Sequence, residues 1–139
     1  MKRITLLLIV LIYSTICFVG CKGKSKEELI IGKWRIDMSA KEMINTLERA
    51  SNHDEKMKKN LESACESTTY EYFENKACTI NMMGRTSTLN YQITKDGKYI
   101  EYTYNESGSI STAKSQLLEL SENRLKFIDE NGDTTVLKK

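Results

Sequence analysis

The side chains in this sequence that could do chemistry are few. Cys65 and Cys78 form an even pair in the body of the chain. In an oxidising compartment they read as a disulfide. It would close a loop of about 14 residues and be worth ~3 kcal/mol in the chain-entropy model. The other reading is two buried thiols. Six of the seven tyrosines fall between Tyr70 and Tyr104. Tyr70, Tyr72, Tyr91, Tyr102 and Tyr104 fall on one face of their segments, each with an apolar body and a hydroxyl that needs a partner when buried. Such a set either lines a cavity for an amphipathic ligand or fills an interior. His53 is the single histidine, and no Ser or Cys has a recognisable base partner. An enzyme is therefore not expected. Asp129-Glu130-Asn131-Gly132-Asp133 offers oxygen ligands but lacks the rest of a calcium loop. It reads as an Asn-Gly hairpin turn, and neither a metal nor a cofactor is expected.

These residues sit on two kinds of element. Gly32–Met38 alternates Trp34, Ile36 and Met38 against Lys33, Arg35 and Asp37, the period of a half-buried strand. From Ser39 the period changes. Ser39 and Glu42 have the spacing of a capping box. Met43, Leu47, Ala50, Met57, Leu61 and Ala64 then recur at helical steps, lapsing around Asn52, which with Glu55 offers a second cap. Two helices are predicted, over 39–50 and 53–65, packing this stripe on the rest of the domain or presenting it as a lid or docking surface. Seven alternating segments follow: 68–74, 77–83, 87–94, 98–104, 111–120, 124–129 and 134–138. The breaks between them include Asp96-Gly97 and Asn131-Gly132, which suit tight hairpin turns. The prediction is mainly β: an eight-stranded antiparallel up-and-down barrel or curled sheet, with two helices between strands 1 and 2.

The front of the chain differs. Met1-Lys2-Arg3 precedes an apolar run from Ile4 to Val19, then Gly20-Cys21. A positive flank, an apolar stretch and a small residue make a secretory signal, shorter than the roughly 20 residues of a spanning helix. Lys2 and Arg3 supply the whole net charge of +2; the remainder carries 19 basic and 19 acidic residues. A neutral domain with mixed charges is not an electrostatic nucleic-acid binder. Phe18-Val19-Gly20-Cys21 resembles a bacterial lipobox, with Phe18 where Leu is usual. The resemblance implies a signal peptide over 1–20, acylation of Cys21 and a membrane-lipid anchor in the cell envelope. Lys22, where an inner-membrane retention signal has Asp, points to the outer membrane. Residues 21–28 then read as the acylated Cys and a polar tether, and 29–139 as the domain.

Gly32-x-Trp34 on the first strand resembles the signature of the lipocalin and calycin group, in which the Trp plugs the closed end of the barrel and a late Arg packs across its ring. The resemblance makes Gly32 and Trp34 structural and Arg124 the candidate partner. Tyr70-Glu71-Tyr72-Phe73 and the segment Leu118–Leu125 resemble small lipocalin-like domains of bacterial lipoproteins. The helical insertion resembles the helix-turn-helix lid of intracellular fatty-acid-binding proteins, although those have ten strands. The implied function is binding of a small hydrophobic or amphipathic ligand. The other reading is a structural lipoprotein, or one that binds an envelope protein, with a filled barrel.

Overall fold

The computed structural model describes residues 23–139. Cys17, Cys21 and the apolar leader lie outside them. The chain opens with a short helix, α1 (Lys26–Ile30), and enters β1 (Gly32–Ile36). Helices α2 (Lys41–Ser51) and α3 (Glu55–Glu66) follow. Then come β2 (Thr69–Tyr72), β3 (Ala77–Met82), β4 (Arg85–Ile93), β5 (Tyr99–Glu106), β6 (Ser109–Leu120), β7 (Arg124–Ile128) and β8 (Thr134–Lys138). The strands form a closed up-and-down antiparallel barrel in sequence order. Of the two forms expected, the barrel holds rather than the curled sheet. β1 meets β8 through Arg35–Lys138 and Ile36–Leu137, a short seam that removes both sheet edges.

The segment read as a free tether is partly folded. Ser25 caps α1 and Glu28 returns the bond, a complete capping box. Lys24 pairs with Glu122 at 2.8 Å, and Lys26 donates to the Gly97 carbonyl at 2.6 Å. Both partners lie in turns at one end of the barrel, where Ile30 is fully buried. With a single helical turn and one buried apolar residue, no periodicity marks this helix in the sequence.

The two helices of the insertion begin differently from the prediction. Ala40 occupies the N-cap of α2 and makes no side-chain cap. The hydroxyl and N–H of Ser39 instead donate to Asp37 Oδ1, at 2.6 and 3.2 Å. Glu42 accepts from Lys126 Nζ at 2.6 Å. A carboxylate is the stronger acceptor for Ser39, so the expected box is not made. The Ser39 bonds, reinforced by Lys138, hold the Asp37 carboxyl below its usual range. Asn52 ends α2 in the left-handed conformation at φ 48°, and Asp54 caps α3 by accepting from the N–H groups of Lys56 and Met57.

Met43 and Ala40 of α2 pack with Val136 of β8. Val136 alternates with core-facing Leu137, so this contact is on the outer wall. Thr46 donates to the Thr134 carbonyl on the same strand. α3 has no fully buried residue. The apolar stripe therefore covers the barrel wall through α2 rather than forming one exposed surface.

Trp34 closes the barrel end beside α1. It is fully buried, and its indole N–H donates to the Ile30 carbonyl at 2.7 Å. The cation over its ring is Lys139, with Nζ 4.5 Å from the centroid, and not the expected Arg124. Alternation gives the reason. Leu125 and Phe127 face the core, so Arg124 points outward, to Glu119 at 3.3 Å. Lys139 shares the parity of inward Leu137 and reaches under the ring. Gly32 has φ +122°, which a side chain would strain, where the chain turns from α1 into β1.

Candidate functional site: a cup at the open end

The barrel interior divides into two halves. Near the closed end, Trp34, Tyr72, Tyr91, Ile100, Leu117, Leu125 and Leu137 fill it as one packed core. Tyr72 and Tyr91 meet edge to face at 4.9 Å, and the Tyr91 hydroxyl donates to the Phe73 carbonyl at 3.0 Å. Above them the hydroxyls of Tyr72 and Tyr102 meet at 2.7 Å. This pair forms the boundary between filled and open barrel.

On the other side of that boundary lies a cup of about 220 Å³. Tyr102 forms its base. Tyr70, Ile80, Leu89, Ala113 and Phe127 make its wall and Tyr104 its upper edge. Tyr70 packs edge-on against Phe127 at 6.4 Å. The cup shares Ile80, Leu89 and Tyr104 with a mouth of about 580 Å³ that adds Met82, Arg85, Ser87 and Asn105. No residue of α2 or α3 lines either space, so the helices do not form a lid on this cup.

A closed eight-stranded barrel, an insertion of two helices after β1 and a Gly-x-Trp plug are now established together. The sequence model of the lipocalin-like domain family matches residues 30–127. The chain belongs to the lipocalin-like domain family. A crystal structure of a DUF4847 family protein from Bacteroides vulgatus ATCC 8482 is similar, with a TM-score of 0.54 and 12% identity over 81% of this chain and 94% of that one. At that identity the likeness is one of fold. No curated protein sequence matches the chain.

Within this lipocalin-like domain the five tyrosines separate by depth. Tyr72 and Tyr91 are part of the filling, Tyr102 sits at the boundary, and Tyr70 and Tyr104 line the cup. Burial pushes the Tyr70 phenol up to about 12 and raises the Tyr72 and Tyr102 phenols well above their usual range for the same cause. All three stay protonated at neutral pH and act as hydrogen-bonding groups. Cys65 and Cys78 are free thiols, Cys78 fully buried. Burial raises both, Cys78 to about 12, the opposite of an activated nucleophile.

Elsewhere on the lipocalin-like domain, His53 borders a polar cleft with Glu42, Glu48 and Arg49 beside α2. Asp129 Oδ1 accepts from the N–H groups of Asn131 and Asp133, making the expected hairpin turn. Among the described residues no group of three His, Cys, Asp or Glu side chains is placed to hold a metal. Sequence reasoning missed Arg85, Ala113 and Phe127 as cavity residues. Alternation puts Ala113 and Phe127 on inward faces, whereas Arg85 fell in the break before the predicted strand 87–94, and parity carries no information about which end of the barrel is empty.

Proposed function

We propose that this protein is a lipid-anchored lipoprotein of the bacterial cell envelope whose barrel binds a small hydrophobic or amphipathic ligand in the cup. The observation that carries the ligand reading is the apolar cup of about 220 Å³, open through the mouth. An apolar cavity of about 150 Å³ takes up benzene, while sites for drug-sized ligands start near 300 Å³. The cup therefore suits one ring or the end of a short chain, with the rest of the molecule in the mouth. The neutral phenols and high-lying thiols fit binding better than catalysis.

Two variants test the two parts. Ala113→Phe puts a ring into the cup from its wall. It is expected to weaken binding of the neutral fluorophore N-phenylnaphthylamine about tenfold or more, since even half a buried ring is worth well over 1 kcal/mol. Ala113→Leu, a smaller intrusion, gives an intermediate loss and guards against misfolding of the larger variant. Unchanged binding by both, with the fold intact by circular dichroism, would refute the cup. For the anchor, Cys21→Ala is expected to leave the membrane fraction and stop incorporating labelled palmitate. Retention in the membrane would count against acylation, since several acyl chains at ~0.8 kcal/mol per buried CH₂ are what hold such a protein. The lipobox at Phe18–Cys21 supports the anchor, and Lys22 supports placement in the outer membrane. α1 sits at the closed end, opposite the mouth, which fits a mouth that faces the aqueous side.

A second reading is a structural or protein-interaction lipoprotein. It is favoured by Met83 and Ile110, which are 69% and 78% exposed in the β3–β4 turn region and at the tip of β6.

A further inference from the structure

The cup and the mouth connect with a third space, a groove of about 340 Å³; all three share Leu89 and Tyr104. They meet because the wall parts there. β4 and β5 pair from Asn90–Thr103 to Ile93–Ile100. Beyond that point Arg85–Leu89 and Tyr104–Glu106 run on towards the open end without pairing to each other. Across the three connected spaces one side chain is charged, and it is Arg85. Arg85 pairs with Met82 across β3 and β4, on the inner face with Ser87 and Leu89. Among the described residues no carboxylate forms an ion pair with it. The other clefts differ. The one beside α2 sets Glu42 and Glu48 against Arg49, and one on the outer wall sets Glu101 and Glu130 against Lys114. Of these spaces, the one continuous with the cup has a single sign of charge.

We propose that the ligand is an anionic amphiphile, with an apolar ring or short chain in the cup and a carboxylate or sulfonate on the Arg85 guanidinium. The proposal rests on the cup being a ligand site and adds the chemical class of what enters it. A guanidinium presents a rigid fork of donors that a carboxylate or sulfonate matches with two parallel hydrogen bonds. Ser87, Asn105 and the Tyr104 hydroxyl surround the same opening with neutral polar groups. The cup holds no charged side chain, only the phenols of Tyr70, Tyr102 and Tyr104 among apolar walls, so the ligand enters apolar end first and leaves its charge at the mouth. Arg85 is exposed, so its effect is one of selection more than of affinity.

The test is a matched pair of fluorescent probes: neutral N-phenylnaphthylamine and anilinonaphthalene sulfonate, the same skeleton carrying one anionic group. Each is titrated into the wild-type protein, Arg85→Gln, Arg85→Glu and Lys33→Glu. Lys33 is exposed on the outer face near the closed end, so its reversal matches the charge change of Arg85→Glu away from the mouth. Arg85→Gln is expected to weaken the sulfonate up to about fivefold, and Arg85→Glu about tenfold or more. The neutral probe should change less than about twofold, the margin left when no ion pair is lost. Lys33→Glu should leave both probes as they are. Equal sulfonate binding by Arg85→Glu and wild type overturns the assignment of Arg85, while the neutral probe still reports on the cup. An equal loss in Lys33→Glu also overturns it, showing attraction by net charge alone. Failure of the neutral probe to bind, with an Arg85-dependent sulfonate, would move the site to the mouth and keep the anionic class. Failure of both probes overturns both readings.

Discussion

Replacing Trp34 with Ala is expected to cost about 3–5 kcal/mol of folding stability, the range for removing a large buried aromatic. Three losses coincide at this position. The indole body is fully buried at the closed end. Its N–H is the partner of the Ile30 carbonyl, which the substitution leaves without that bond. Its ring is also the surface on which the Lys139 ammonium rests, while Lys139 Nζ itself donates to the Leu29 carbonyl at 3.1 Å. Trp34 thus ties α1, β1 and the end of β8 together. A domain of this size holds about 5–15 kcal/mol in total, so the variant should sit near its unfolding threshold. Urea unfolding is the measurement: with a slope of ~2 kcal/mol per molar, the midpoint should fall by about 2 M. Trp34→Phe keeps much of the bulk and loses the hydrogen bond, and should fall between the two. A Trp34→Ala midpoint within about 0.5 M of wild type would mean that the closed end does not unfold with the barrel, contrary to this account.

What the residues declare in advance, and what they withhold, follows from the range of the interactions involved. Alternation along each strand is local. It marked the strands and the inward tyrosines, as the equally local lapse of the helical stripe marked the break between helices at Asn52. The same alternation puts Arg124 on the outer face, because Leu125 and Phe127 take the core. There the Gly-x-Trp resemblance outweighed the local pattern and named the wrong cation. Lys139 was hidden because it lies beyond the last strand, where no pattern remains to be read. The Ser25–Glu28 capping box is visible in the letters, yet its helix is too short to show an apolar period. The expected box at Ser39 failed for one local and one tertiary reason: Ser39 turns to Asp37 two residues back, and Glu42 is claimed by Lys126 from β7. The cup was the least legible feature. Its existence depends on where β4 and β5 cease to pair and on how deep each tyrosine lies, and both are set by neighbours distant in sequence.

The Tyr72–Tyr102 pair at the base of the cup should show an unequal double-mutant cycle. Each phenol can donate one hydrogen and accept others, and the two hydroxyls meet at 2.7 Å. Tyr72 is sealed at 1% exposure, whereas Tyr102, at 9%, borders the cup. Tyr102→Phe strands the Tyr72 hydroxyl away from water, with only the weak Cys78 thiol beside it. The expected cost is about 1–3 kcal/mol, the penalty for a buried polar group that loses its partner. Tyr72→Phe strands the Tyr102 hydroxyl instead, but the cup has room for a water to replace the partner. Its cost should be nearer ~0.5–1 kcal/mol, that of an ordinary hydrogen bond. The double Phe variant removes both hydroxyls and leaves nothing stranded, so it should be no less stable than Tyr102→Phe, with a coupling of about 1 kcal/mol in the cycle. Alkaline unfolding gives an independent reading. Burial raises both phenols in the folded state. Their contribution is present in full below the ordinary phenol range near pH 10, and it is lost as pH rises from there towards the raised folded values, because the unfolded chain then ionises first. Wild type should therefore lose up to about 1.4 kcal/mol per pH unit for each of the two groups above pH 10, and each Phe should remove its share of that slope. Equal costs for the two single variants, with additive effects in the double, would show that the pair is not coupled and that the cup does not reach its base.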